Sequence, residues 1–151
     1  MSNSFAVTRP VNPPGAEPVL TEAQLWKGLE YKARNAHAFI PGIVESKTIV
    51  DDGKKVENEL KTADGRVVKD RIEVHAPTIL YIESDIGPRG TNIVSYEAAW
   101  ELLLALSTAN GIPGIVPDAP KPSVEDLNAR FGGAIEKNLS IIRDLLKAGK
   151  L

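Results

Sequence analysis

The chain lacks cysteine altogether and has only two histidines, His37 and His75. The absence of cysteine excludes disulfide bridges, thiol nucleophiles and cysteine-based metal sites. The two histidines do not form the closely spaced pair that protein metal sites use. We therefore expect no metal and no other cofactor in this protein.

An excess of one charge and long apolar runs are also missing. Lysines and arginines are scattered and the formal net charge is −2, whereas binding of nucleic acid phosphates requires a concentrated basic surface. No apolar run approaches the roughly 20 residues that span a membrane. Residues Met1 to Pro10 lack the basic start and apolar core of a signal peptide. The sequence thus predicts a cytoplasmic protein with no nucleic acid partner and no membrane span.

What the chain does contain is the composition of an ordinary globular protein. Its 151 residues are 42% hydrophobic and 25% charged, which is typical of globular domains. A chain of this length buries about two thirds of the surface that it exposes when unfolded, so it can fold without disulfides or metal. The length predicts a single domain that covers residues 1–151.

An alternation of apolar and polar residues runs through the middle of the chain. Turn sequences separate its segments, as at Asp51-Asp52-Gly53 and Ala63-Asp64-Gly65, and such turns join neighbouring antiparallel strands. The pattern predicts an antiparallel meander with one dry face and one wet face. The predicted strands are Phe5–Val11, Ile43–Val50, Lys55–Thr62, Val67–His75, Thr78–Glu83 and Thr91–Tyr96.

Two segments have helical periodicity. Thr21-Glu22-Ala23-Gln24 is a capping box that predicts the start of a first helix, and a short irregular or helical piece follows around His37. Ser123 predicts the start of a long last helix, which Gly149 ends. Gly132-Gly133 in the middle of that helix indicates either a kink or close packing on the sheet, or else room left for a ligand.

The segment Glu97–Thr108 fits two structures. Its Glu, Ala and Leu content favours a helix by intrinsic propensity, whereas Leu102, Leu104 and Leu106 alternate as in a strand. Periodicity does not decide so short an apolar run. From the residues alone, both structures stay open.

Several short motifs follow one another in an order and spacing that resemble a known family. They are Leu25-Trp26-Lys27-Gly28-Leu29, Ala33-Arg34, Phe39-Ile40-Pro41-Gly42, Val50-Asp51-Asp52-Gly53, Val67 to Val74 with Ala76-Pro77, and Ile141-Ile142-Arg143-Asp144. This order is similar to the helix-grip superfamily, also called START-like, birch-pollen-allergen-like or SRPBCC. Within it the chain most resembles the AtaL-like family of bacterial and fungal proteins, from about Phe5 to Gly149.

The resemblance implies a fold of the α+β class. In a helix-grip fold, a curved antiparallel sheet of six to seven strands surrounds a long C-terminal helix, with a short helical pair after strand 1. The resemblance also implies that Glu101–Thr108 is the last strand, against its local propensity. It further implies an apolar cavity between the sheet and the last helix.

By this resemblance, the dry face of the meander faces the core or the cavity. Most of the face is apolar: Val44, Val56, Leu60, Val68, Ile72, Val74, Leu80 and Ile82. We predict that a ligand contacts this face and the elements beside it. The predicted contact residues are Asn58, Asp70, Ile72, Leu80, Tyr96, Trp100, Phe131 and Ile135.

Asp70 is the sharpest chemical feature of the dry face, because a carboxylate is rarely buried without a partner. Asn58 on the neighbouring strand is expected near it. One interpretation is a satisfied hydrogen bond, or exposure of Asp70 through a register slip. The other is a cavity carboxylate with a raised pKa that acts as a base or binds a ligand amine or hydroxyl. Tyr96 and Trp100 either line the cavity or pack in the core and at a hairpin end.

The leading hypothesis for function is the binding of a small hydrophobic or aromatic molecule in the cavity. An alternative is an enzyme of secondary metabolism, of the cyclase, dehydratase or isomerase type, with Asp70 or Tyr96 as acid or base. A third is an accessory protein that acts through a partner or as a homodimer. A second titratable group within hydrogen-bond reach of Asp70 at the cavity wall would favour the enzyme.

Overall fold

The computed structural model describes residues 3–116 and 118–151 and combines one antiparallel sheet with two α-helices in these residues. The helices are α1 (Glu22–Arg34), followed by a 3-10 turn at Ala36–Ala38, and α2 (Val124–Lys147). The strands are β1 (Phe5–Pro10), β2 (Ile43–Asp51), β3 (Lys55–Thr62), β4 (Val67–His75), β5 (Ile79–Ser84), β6 (Arg89–Tyr96) and β7 (Leu102–Ala109). Their order in the seven-stranded sheet is β1-β7-β6-β5-β4-β3-β2. The predicted α+β helix-grip fold is confirmed.

Both helices begin, and the long last helix ends, at the residues that the sequence indicates. The Thr21 hydroxyl accepts a hydrogen bond from the Gln24 amide, and the Gln24 side chain accepts one from the Thr21 amide, which completes the capping box. At the start of α2, the Ser123 hydroxyl accepts from the Asp126 amide. Gly149 has a φ of 70° after the last turn, a conformation that suits glycine at a helix end.

Strand β7 forms although its residues favour a helix. It pairs with β6 on one side and with β1 on the other, so both edges of its backbone are hydrogen-bonded within the sheet. Trp100, with a φ of 65°, lies in the turn that precedes it. The predicted last strand is confirmed, with the bounds Leu102–Ala109.

One predicted member of the dry face is wrong. Val44 is 58% exposed, because the register of β2 against β3 shifts between Ile43 and Glu45. An irregularity of this kind leaves the extra residue unpaired, so its side chain no longer follows the regular alternation between the two faces of the sheet.

The glycines of α2 explain how closely this helix approaches β1. A Cβ atom on Gly132 would lie 1.9 Å from the Arg9 guanidinium, which donates hydrogen bonds to the backbone and side-chain oxygens of Asn128. A Cβ atom on Gly133 would meet nothing within 4 Å. Gly132 therefore serves close packing against a side chain of the sheet, which is one of the alternatives left open above.

The two helices also pack on each other over the sheet. A Cβ atom on Gly28 of α1 would lie 2.6 Å from the Ile142 side chain of α2, so the two helices touch at this point. The main apolar core includes Leu25, Leu29, Val56, Ile72, Leu80, Val94, Leu104, Ile135 and Ile142. In the ranges that the structure describes, neither helix is long and apolar enough to cross a membrane.

Candidate functional site

Strand pairing decides which side chains face the helices. Residues paired across antiparallel strands point to the same side of a sheet. Asn58 points toward the helices, because its side-chain amide donates a hydrogen bond to a backbone carbonyl of α1. We call the sheet side that faces the helices the inner face. Its positions in β3 to β7 are Val56, Asn58, Leu60, Val68, Asp70, Ile72, Val74, Leu80, Ile82, Ser84, Gly90, Asn92, Val94, Tyr96, Leu102, Leu104, Leu106 and Thr108.

The Asn58 side chain connects the inner face to α1 by hydrogen bonds. Its Nδ2 donates to the Ala33 carbonyl at 2.6 Å, and its Oδ1 accepts from the Thr48 hydroxyl at 2.9 Å. The side chain is only 1% exposed. Its amide is thus already engaged by the protein on both sides.

Asp70 and Ser84 lie beside Asn58 in the same row, each paired with its neighbour across β3, β4 and β5. Asp70 is half-buried, and burial raises the pKa of its carboxyl, with the nearby Ser84 hydroxyl opposing the shift and the Asp85 carboxylate adding to it. The Ser84 hydroxyl is buried and lies close enough to Asp70 to oppose the shift as a hydrogen-bond donor, but it forms no hydrogen bond of regular distance and angle among the described residues. This row therefore presents a carboxyl and a hydroxyl with unused hydrogen-bonding capacity.

A second polar group lies further along the inner face, and it joins three elements. The Lys32 ammonium of α1 donates to Asn92 Oδ1 of β6 at 3.2 Å. With the Asn138 amide of α2 oriented so that its oxygen faces Lys32, Oδ1 accepts from Nζ at 2.9 Å and Nδ2 donates to the Ala134 carbonyl at 3.3 Å. Burial lowers the pKa of Lys32 to about 8.

Sequence reasoning missed the lysine group, although helical spacing contains a signal for it. Lys32 follows Leu25 and Leu29 at the spacing of one helix face, and that face is the buried one. Asn138 likewise lies between Ile135 and Ile142 on the buried face of α2. A charged or amide residue on such a stripe is the pattern that could have found the group.

In the described ranges, cavities open on the sheet at the strands β2 to β7. One of about 200 Å³ is lined by Asn58, Asp70 and Ser84, together with residues whose side chains alternate to the outer face of the sheet, among them Glu57 and Arg71. Another, of about 250 Å³, is lined mainly by outer-face residues, among them Tyr81, Arg89, Thr91 and Ser107. The first cavity touches the row Asn58–Asp70–Ser84, but neither cavity is lined by a residue of α1 or α2, so the predicted cavity between the sheet and the last helix is not among them.

The remaining predicted site residues divide between the core and the rim. Ile72, Leu80 and Ile135 are buried in the main core. Phe131 of α2 packs on Phe5 of β1, with ring centroids 5.9 Å apart.

Tyr96 and Trp100 lie at the β6–β7 turn. The Tyr96 hydroxyl donates to the Glu22 carboxylate at the start of α1, and its ring contacts Trp100 edge-on with centroids 6.3 Å apart. Trp100 is 82% exposed, so it does not lie among the inner-face side chains. Their roles in ligand contact stay predictions.

Solved structures with the same fold are found among proteins of low sequence identity. The di-domain ARO/CYC StfQ from the steffimycin biosynthetic pathway is 14% identical with a TM-score of 0.62; the alignment covers 98% of this chain and 52% of StfQ. The Zhui aromatase/cyclase from Streptomyces sp. R1128 is 12% identical with a TM-score of 0.56, covering 99% and 97%. Ara h 8.0201 is 14% identical with a TM-score of 0.55, covering 94% and 98%. This chain therefore spans about half the length of StfQ, and the likeness establishes the fold.

A search of curated proteins finds no match. The family model described as "Acetylaranotin biosynthesis cluster protein L" matches residues 5–149, which is nearly the whole chain. The match agrees with the motifs from Leu25 to Asp144 and with the helix-grip fold. The chain belongs to the AtaL family.

Proposed function

We propose that this protein binds a small hydrophobic or aromatic molecule at the inner face, and that Asp70 and Ser84 hydrogen-bond a polar group of that molecule. The observation that carries the proposal is the buried Ser84 hydroxyl, which forms no hydrogen bond of regular geometry and lies directly across a strand pair from the half-buried Asp70 carboxyl.

Buried polar groups in folded proteins nearly always have hydrogen-bond partners. Leaving one unsatisfied costs about 1–3 kcal/mol, so a ligand that supplies the missing partner gains affinity at this row. The neighbouring inner-face row consists of Ile72 and Ile82, whose apolar surface would contribute roughly 25 cal/mol for each Å² removed from water. An apolar wall with a few polar groups is the usual character of small-molecule sites.

The comparisons support a small organic ligand. The family description names a biosynthesis cluster, and two of the structures that share the fold are named as aromatase/cyclases or ARO/CYC proteins. For this chain, such names favour an aromatic or polyketide-like molecule over a macromolecule.

A second candidate is an enzyme of the cyclase, dehydratase or isomerase type. The raised pKa of Asp70 favours it, because a carboxyl that titrates closer to neutral pH is a better acid or base in the cell. Against it, no second titratable side chain in the described ranges hydrogen-bonds Asp70, and the Tyr96 hydroxyl is engaged by Glu22. Binding is therefore the proposal that the geometry supports better.

The proposal is tested with N-phenyl-1-naphthylamine, a neutral aromatic probe that fluoresces in apolar surroundings and has one N–H donor. We expect the wild type to bind it and Asp70→Ala to bind roughly tenfold more weakly, since a hydrogen bond to a charged group contributes about 1.5–3 kcal/mol. The matched control is Asp144→Ala, because Asp144 is an exposed carboxylate on α2. No probe binding by the wild type, or equal loss in both variants, would contradict the proposal.

A further inference from the structure

Lys32 is a charged group of α1 whose ammonium lies between the two helices and the sheet. Its ammonium meets Asn92 from β6 and Asn138 from α2 at 3.2 and 2.9 Å. Among the described residues, no carboxylate lies within ion-pair distance of it. Burial is the only cause that shifts its pKa, so no neighbouring charge compensates it.

One N–H donor of the Lys32 ammonium remains without an acceptor in this group. A lysine ammonium has three N–H donors, and two are used by the two amide oxygens. The Asn138 Nδ2 donates to the Ala134 carbonyl of its own helix, which holds the amide oxygen toward Lys32. The three side chains thus form a fixed donor site with capacity for one further acceptor.

A purely structural role would not require a charge here. Removing an ammonium from water is unfavourable unless it is paired, and a neutral amide donor on α1 would satisfy the two buried amide oxygens without that penalty. Lys32 nevertheless keeps part of its surface accessible. A half-buried cation without a counter-ion is suited to an acceptor that arrives with a ligand.

The group borders the row of the proposed function. Asn58 bonds the carbonyl of Ala33, the residue after Lys32, at 2.6 Å. Asn92 pairs with Leu80 on β5, the same strand that holds Ser84. A ligand that lies along the inner face would therefore extend from one polar group toward the other.

We infer that Lys32, held by Asn92 and Asn138, binds an anionic oxygen of the ligand, which makes the ligand an aromatic or other apolar molecule with a carboxylate, phenolate, enolate or sulfonate group. This inference rests on the proposed function and names the ligand class. The charge-assisted hydrogen bond from a buried ammonium would select such an acid over its neutral analogue.

The test compares two probes that share one ring system. 8-Anilinonaphthalene-1-sulfonate is anionic, and N-phenyl-1-naphthylamine lacks the sulfonate. We expect the wild type to bind the anionic probe at least tenfold more tightly than the neutral one. Lys32→Met and Lys32→Gln should each remove this preference and leave the affinity for the neutral probe within about twofold. The control is Lys27→Met, since Lys27 lies on the same helix but is exposed.

The outcomes separate this inference from the function on which it rests. If the wild type binds the neutral probe but shows no preference for the anionic one, the inference is overturned and the proposed function stands. The same holds if Lys32→Gln keeps the preference, or if Lys27→Met loses it equally. If the wild type binds neither probe, both proposals fail. Should Lys32→Met not fold, Lys32→Gln and the wild-type preference still decide the result.

Discussion

The two polar groups of the inner face differ in how they are built. The row Asn58–Asp70–Ser84 comes from three consecutive strands, and it ends in a buried hydroxyl that forms no hydrogen bond of regular geometry. The group Lys32–Asn92–Asn138 comes from two helices and a strand, and it is hydrogen-bonded but carries an uncompensated charge. The first group can accept or donate further hydrogen bonds, and the second carries a positive charge without a counter-ion. Together they suit a ligand that is apolar along its length and polar at two points.

The largest expected effect tests whether the Lys32 charge is uncompensated. The folded protein releases the Lys32 proton near pH 8, whereas the unfolded chain releases it near 10.5. Between these values the unfolded chain binds more protons, so the free energy of unfolding should rise with pH. A shift from 10.5 to about 8 corresponds to on the order of 3 kcal/mol.

The measurement is urea unfolding of the wild type and Lys32→Met at pH 7.5, 9 and 10.5. The wild type should gain stability relative to this variant as the pH rises, and Lys27→Met should behave like the wild type. Parallel pH profiles of the wild type and Lys32→Met would show that the lysine is not buried as described.

The next effect concerns Asn58, the satisfied member of its row. Asn58→Ala removes the donor to the Ala33 carbonyl and the acceptor of the Thr48 hydroxyl, and it leaves a cavity. We expect a loss of about 1–3 kcal/mol in the free energy of unfolding. Lys61→Ala, at an exposed position of the same strand, is the comparison variant, and a similar small change in both would contradict the proposed structural role of Asn58.

A smaller effect is expected at Asp70, and its sign depends on pH. The folded pKa is raised above the unfolded value, so the contribution of Asp70 to stability is fully present below the unfolded pKa of 3.8 and is lost as the pH rises through the folded pKa. Asp70→Asn should therefore have a higher Tm than the wild type at pH 7, and this advantage should shrink at pH 3.5. Calorimetry at the two pH values measures it, and an advantage that grows toward low pH would reverse the sign of the shift.

The smallest effect is expected at Ser84. Because its hydroxyl forms no hydrogen bond of regular geometry, Ser84→Ala removes an unsatisfied group and should change the free energy of unfolding by less than about 1 kcal/mol, in the stabilising direction. The same variant should weaken binding of N-phenyl-1-naphthylamine if a ligand uses the hydroxyl. Clear destabilisation would mean that Ser84 is hydrogen-bonded in the folded protein, which would remove the difference between the two groups.

Most of the fold followed from patterns that act over a few residues. The capping residues Thr21 and Ser123 and the alternation of β3 and β4 predicted element bounds that the structure confirms. Asp70 was found because alternation placed a carboxylate on the dry face. Val44 was assigned wrongly, because a shift in strand pairing depends on the partner strand and leaves no trace in the local alternation.

The sequence by itself determined the antiparallel meander, the two helices and the row that contains Asp70, since caps, turns and alternation are set by neighbouring residues. Only the tertiary structure decided that Leu102–Ala109 is a strand, because pairing on both edges satisfies its backbone and outweighs its preference for helix. Tertiary packing also brought together Lys32, Asn92 and Asn138. These residues are far apart in the chain, and no local pattern relates them.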